Sequence, residues 1–197
     1  NGRVANNLAS EHEVVEFYKR NGIKRMRIYD PNHATLHALR GSDIELILDV
    51  LNSDLQALAS DASAATRWVQ RNVRHYCPDV KFRYIAVGNE VDPNKVEMAQ
   101  FTWYVFPAMQ HIYNAIAAAG FQNQIKVSTA TYSGLLGNSY PPSQGSFREN
   151  VRPFIHPIIG FLVNHMAPLL ANIYPYFAYL GEMRKNTPYI QLPYALL

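Results

Sequence analysis

The chain has 197 residues, 48% of them hydrophobic and 17% charged, and its 18 basic and 15 acidic residues give a formal net charge of +3. It is long enough for one domain with its own core and too apolar for wholesale disorder. Its basic residues are scattered, as in Lys19-Arg20 and Lys24-Arg25, and form no block of the kind that grips nucleic acid; no apolar run reaches membrane-spanning length.

Taken in chain order, Ser10-Glu11-His12-Glu13 has the spacing of a capping box, which opens a helix carrying Val14, Val15, Phe17 and Tyr18 and ending before Gly22. The segment IKRMRIYDP follows as a first strand, with Met26 and Ile28 alternating against Lys and Arg, stopped at Asp30-Pro31. A short helix through Leu36 and Leu39 ends at Gly41, and IELILDV is a second strand. Residues 62–77 read as a helix with Val69, Val73, Tyr76 and Cys77 on one side, stopped by Pro78. KFRYIAV is the third strand and runs into YIAVGNEVDP. The next helix sets Met109, Ile112, Tyr113 and Ile116 on one face and ends at Gly120; IKVSTATY is the fourth strand. Residues 133–150 read as a polar loop, roughly 154–166 as an apolar helix, and PLLANIYPYF as a fifth strand.

Strand and helix alternating in this way predict an α/β fold with parallel strands and crossover helices. No Gly-x-Gly-x-x-Gly or P-loop pattern follows the first strand, as a nucleotide-binding open sheet requires, so a (β/α)8 TIM barrel is preferred, with 1–197 as a single domain.

In a barrel the strand ends converge on one pocket. Here they supply Tyr29-Asp30, Asp49, Asn89-Glu90, Ser128, Thr129, Asn172, Tyr174 and Phe177. Carboxylates, amides, hydroxyls and aromatics suit a sugar, whose C–H faces stack on rings and whose hydroxyls hydrogen-bond. Neither a phosphate cradle nor a metal-ligand cluster accompanies them, and no cofactor or metal is expected. The lone Cys77 reads as a buried thiol. His33 and His37 have i,i+4 spacing, but no glutamate follows His33 as a zinc-protease helix needs, so packing or surface roles are favoured. From spacing alone Glu90 is either a strand-end ion pair with a nearby arginine or a catalytic group. Asn89 either caps its loop or faces a ligand. Asp49 reads as a cap or salt bridge, and Asp92 as a turn residue. Tyr29, Tyr174 and Phe177, taken singly, could be rim packing or stacking platforms.

Together RIYD, VGNEV, FPAMQHIYNAIAAAG, GLLGNSYPPSQGSF and PLLANIYPYFAY resemble the plant endo-1,3-β-glucanases, the pathogenesis-related glycoside hydrolase family that also contains 1,3-1,4-β-glucanases. The likeness runs from near Asn1 to Leu197. It implies retaining, endo-acting hydrolysis of β-1,3-glucan without metal or cofactor, in a plant-defence protein that is secreted or vacuolar. It also implies that Glu90 is the general acid/base, that Asn89 hydrogen-bonds the sugar 2-hydroxyl, and that Tyr29, Asn172, Tyr174 and Phe177 contact substrate at strand ends. A 1,3-1,4-β-glucanase is the alternative within that chemistry, and a non-catalytic glucan-binding or antifungal fragment the alternative outside it.

The second carboxylate of the family stands in a Ser-Glu-Ser-Gly-Trp-Pro-like motif after its seventh strand, and that motif is absent from these residues. The chain is therefore expected to be part of a longer protein, a barrel whose first strand is clipped at Asn1-Gly2 and whose seventh and eighth strands are missing. Asn1, Ala9, Asp49 and Leu51 depart from the aromatic, Pro, Gly and Pro that the family places there.

Overall fold

The computed structural model describes residues 5–139, 141–183 and 190–196; the expected clipped strand at Asn1-Gly2 lies outside them. The first helix, α1 (Glu11–Arg20), begins where the spacing predicts. The Ser10 hydroxyl accepts from the Glu13 amide at 3.3 Å, and the Glu13 carboxylate accepts from the Ser10 amide at 2.8 Å. Such a reciprocal cap satisfies two otherwise orphaned donors.

Next come β1 (Arg25–Ile28), α2 (His33–Ala38) and β2 (Glu45–Val50). Asn32 caps α2, accepting from the Thr35 amide at 2.8 Å. Then follow α3 (Leu55–Ser60) and α4 (Ala62–Val69), which runs on into a π-turn at Gln70–Arg74. The sequence reading missed α3, because six residues are too few for a helical period to stand out beside the polar Asn52-Ser53-Asp54. On the stretch predicted as one helix, Val69, Val73 and Tyr76 are buried and Cys77 is half-buried. Burial pushes the Cys77 thiol up to about 11, far from a reactive thiolate.

The central strand β3 (Lys81–Asn89) leads to α5 (Val96–Ala99) and α6 (Thr102–Ala118), then β4 (Lys126–Tyr132). The predicted polar loop at 133–150 contains an antiparallel hairpin, β5 (Leu136–Asn138) with β6 (Ser146–Phe147). Helix α7 (Arg152–Asn164), strand β7 (Leu170–Asn172), α8 (Pro175–Met183) and α9 (Leu192–Leu196) complete the described chain. Here the fifth predicted strand needs correction. Only Leu170–Asn172 pairs with β4, and Pro175 opens a helix instead. The aromatic run Tyr174–Phe177 suggests a strand by propensity, but a proline's fixed φ and missing N–H fit the first helical position.

The five parallel strands lie side by side in the order β1-β2-β3-β4-β7. A doubly wound sheet reverses direction at a switch point; here each strand adds on the same side as the last. With right-handed crossovers, that keeps every helix on one face and leaves the other for a barrel interior. Leu46, Leu48 and Val50 of β2 are at most 1% exposed and belong to the core that also takes in Met109, Ile112 and Ile116 of α6. Helices α3 and α4 both pack on α6. Alternate residues of β1 and β2, among them Arg27 and Asp49, turn to the other face. The fold is an incomplete (β/α)8 barrel, as expected.

Candidate active site

Strand β3 ends in a bulge. Ala86 pairs with Ser128 and Asn89 with Ala130, so three steps along β3 match two along β4. The extra residue is accommodated by Gly88, whose φ is +79°. An added Cβ there would meet Leu55 Cδ1 at 3.3 Å and Asn52 Oδ1 at 3.4 Å. Two residues on, Glu90 itself has a φ of +51°, a left-handed conformation that costs a non-glycine residue about 1–3 kcal/mol.

Two sets of contacts hold that conformation. Behind it, the Asn52 side chain clamps the backbone of Asn89: Oδ1 accepts from the Asn89 amide at 2.8 Å, and Nδ2 donates to the Asn89 carbonyl at 3.0 Å. The Glu90 amide donates to the Ala130 carbonyl at 2.8 Å. Ahead of it, Asp92 is 2% exposed and makes a knot. It accepts from the Asn94 amide at 2.9 Å and from the Tyr132 hydroxyl at 2.7 Å, while Asn94 bonds Asn150. Burial alone would raise the Asp92 carboxyl, but the bonds from Tyr132 and Asn94 outweigh it and hold the pKa below the usual range. Asp92 is thus a turn residue, as its place before Pro93 suggests.

The floor is organised by Arg27, which sequence reasoning did not single out. Its guanidinium donates to both Asp49 oxygens, Nε to Oδ1 at 3.0 Å and NH2 to Oδ2 at 2.6 Å. It also donates to Asn89 Oδ1 at 2.8 Å and to Asn172 Oδ1 at 2.6 Å. Burial works against the charge on Arg27, yet the bond and charge of Asp49 more than offset it and its pKa is raised. Burial likewise pushes the Asp49 carboxyl up, against the pull of Arg27. Asp49 is therefore the salt bridge anticipated for it.

Because a guanidinium only donates, the amide atoms facing Arg27 must be oxygens, which fixes the orientation of both amides. Asn172 Nδ2 then donates to Asn89 Oδ1 at 3.0 Å and to Glu90 Oε1 at 2.6 Å. The Tyr174 hydroxyl donates to the same Glu90 oxygen at 2.7 Å, and this bond, ahead of burial, pushes the Tyr174 phenol up to about 12. Among the described residues, Glu90 Oε2 and Asn89 Nδ2 make no hydrogen bond. A chain of charge and dipole thus runs from Asp49 through Arg27 and two amides to one carboxylate oxygen, leaving the other available.

Around this floor, the Tyr29 ring lies under the Arg27 guanidinium at 4.6 Å, and Tyr174 and Phe177 approach at 6.0 Å between ring centroids. All three rings are exposed, Phe177 at 65%. Of the predicted set, Asn89, Glu90, Asn172 and Tyr174 bond to one another, and Tyr29 joins through Arg27. Phe177 is not at a strand end; it lies in the first turn of α8, with its ring near Tyr174. Ser128 and Thr129 are not pocket residues either. Both are buried mid-strand, with hydroxyls bonded to the Pro168 carbonyl at 2.6 Å and the Gly88 carbonyl at 3.3 Å. His33 bonds the Tyr76 hydroxyl at 2.7 Å, and His37 packs edge-on to Tyr76.

A singly wound (β/α) sheet whose strand tips carry a carboxylate among amides and aromatics has the arrangement of a barrel glycoside hydrolase. The sequence profile of glycosyl hydrolases family 17 matches residues 1–197, and the chain belongs to that family. It is 63% identical over 195 residues to a glucan endo-1,3-beta-glucosidase of Vitis vinifera, an alignment covering 99% of this chain and 55% of the relative. Glucan endo-1,3-beta-glucosidase A of Solanum lycopersicum is 56% identical over 195 residues, covering 99% of this chain and 56% of that protein. A β-1,3-glucanase and allergen of Cryptomeria japonica pollen superposes with a TM-score of 0.89 at 41% identity, covering 94% of this chain and 57% of that structure. The chain spans about half the length of the relatives it matches.

Proposed function

We propose that these residues form the acid/base half of a retaining endo-1,3-β-glucanase. The observation that carries the reading is Glu90 itself: a left-handed residue at the C-terminal tip of the central strand, with one carboxylate oxygen held by Asn172 and Tyr174 and the other unengaged. Strain retained at the end of a barrel strand accords with function there. Glu90 Oε2 delivers a proton to the departing glycosidic oxygen and then takes one from the attacking water. Asn89 Nδ2, directed by Arg27, donates to the hydroxyl beside the reacting carbon. Tyr29, Tyr174 and Phe177 offer ring faces to neighbouring sugars. Retention needs a second carboxylate about 5–5.5 Å from the first. Asp49 does not suit that role, since Arg27 holds both its oxygens; we assign it to a residue outside these 197. The family match over the whole chain supports reading 1–197 as part of one catalytic domain.

The names of the relatives favour 1,3- over 1,3-1,4-β-glucan as the substrate, and secretion or vacuolar storage suits such a protein. The rings and amides lie within this chain, so glucan affinity without turnover is a second reading for the 197 residues alone. The test follows reducing ends released from laminarin by Glu90→Gln and by a wild-type preparation that includes the second carboxylate and hydrolyses laminarin. A loss of about 10²–10⁴-fold is expected for a missing general acid; equal release by both overturns the assignment.

A further inference from the structure

Outside the Glu90 network, α2 and the π-turn border an open groove of about 720 Å³ lined by His33, His37, Gln70, Arg71, Arg74, His75 and Tyr76. Every lining side chain can hydrogen-bond and none is acidic. Its floor is the Tyr76 ring, 1% exposed, with imidazoles around it: His37 at 5.2 Å and His75 at 5.0 Å between centroids, and His33 bonded to its hydroxyl at 2.7 Å. The nearby carboxylate, Asp79, is taken by Arg40, paired at 2.5 Å. Arg40 also donates to the His75 carbonyl at 2.8 Å and so ties down that end of the groove. Arg71 makes no hydrogen bond or ion pair among the described residues, and Arg74 bonds only the neutral Gln70 amide, at 3.3 Å.

Arg71 and Arg74, both on the turn at Gln70–Arg74, both line the groove. That turn is π-helical, a rare, wide geometry frequent at functional sites. Two guanidinium groups without acidic partners thus face a concavity whose remaining walls supply imidazole and amide groups.

We propose that this groove is a second site, which binds a small multivalent phosphate. Guanidinium forks match phosphate oxygens bidentately. Guanidinium, amide and imidazole groups from α2 and from the turn line the groove together, a donor set that suits a group with several acceptor oxygens better than a single carboxylate. The volume lies within the range of small-ligand pockets and exceeds what one inorganic phosphate fills. None of the lining residues belongs to the Glu90 network, so the site stands or falls independently of the glucanase reading.

The test titrates the 197-residue protein with tripolyphosphate while following the imidazole signals of His33, His37 and His75 by NMR. Inorganic phosphate, trigalacturonate and laminaripentaose are run in parallel. Tripolyphosphate is expected to shift all three histidines saturably, inorganic phosphate more weakly, and the other two not at all. Arg71→Ala/Arg74→Ala is expected to weaken tripolyphosphate binding at least about tenfold, whereas Arg20→Ala/Lys24→Ala, which removes equal charge elsewhere, leaves it unchanged. Shifts that do not saturate, equal weakening by both double variants, or trigalacturonate binding as well as tripolyphosphate would each overturn the proposal. If the groove variant does not fold, the wild-type ligand series still decides.

Discussion

Replacing Arg27 with methionine removes the donor that organises the site floor, and the cost can be worked from its contacts. Asp49 is 1% exposed and loses both of its bonds, and breaking a buried pair from one side costs about 3–5 kcal/mol. The Asn89 and Asn172 oxygens lose a donor each, at about 0.5–1.5 kcal/mol apiece. Removing both charges with Arg27→Met/Asp49→Leu leaves no orphaned carboxylate, so only the amide losses remain, about 1–3 kcal/mol. The double variant is therefore expected to be more stable than Arg27→Met alone.

The sign of the pH dependence follows. Burial already pushes Asp49 upward, and without Arg27 the main opposition to that push is gone. A carboxyl raised in the folded state contributes stability that is complete below its unfolded pKa, about 3.9, and is lost as pH climbs through the folded value. Arg27→Met should thus be least destabilised near pH 4 and progressively worse toward pH 8. Urea unfolding followed by circular dichroism at both pH values measures this. A loss under about 1 kcal/mol, or single-variant costs that simply add in the double variant, refutes Arg27 as the organising group.

Asn52→Ala removes the clamp on Asn89 and should cost about 1–3 kcal/mol in urea, with displaced Asn89 and Glu90 amide resonances; Asn52→Asp, which keeps the acceptor but not the donor, should recover part of it. The Tyr174 phenol should titrate at about 12 by carbon NMR and return toward about 10 in Glu90→Gln, because its largest perturbation is the bond to Glu90. Asp92 is depressed in the folded state, so its contribution is present above about pH 4 and lost below it; Asp92→Asn should lack that part of the acid transition in a pH-unfolding series. Ile112→Ala, in a helix face with no exposure, should cost about 2–5 kcal/mol without altering glucan binding by calorimetry.

What was legible in the sequence was what local chemistry encodes. The Ser10–Glu13 box, the glycines at 22, 41 and 120 and the Met109–Ile116 stripe are decided within a few residues, and all have the structure expected of them. Glu90 was marked by its place after a buried run and a glycine. Arg27 was hidden in plain view as a polar member of an alternating strand. Its inward direction matters only once parallel register sets β1 beside β2 and the barrel curls to bring β7 within reach. Asn52 looked like loop polarity, because its partner is a backbone 37 residues away. Phe177 was misplaced because aromatic propensity was weighed above the helix-starting Pro175. The parallel order of the strands, rather than any single motif, joins Arg27, Asp49, Asn89 and Asn172.

The central claim, that Glu90 is the proton donor, is tested most directly by varying the leaving group in a preparation whose wild type hydrolyses laminarin. A dinitrophenolate departs without a proton, whereas a sugar alkoxide does not. Glu90→Ala should therefore lose about 10²–10⁴-fold on laminarin yet form its glycosyl intermediate from 2,4-dinitrophenyl β-laminaribioside at close to the wild-type rate, and azide should accelerate the turnover that follows. Equal losses on both substrates, with no response to azide, would contradict the assignment.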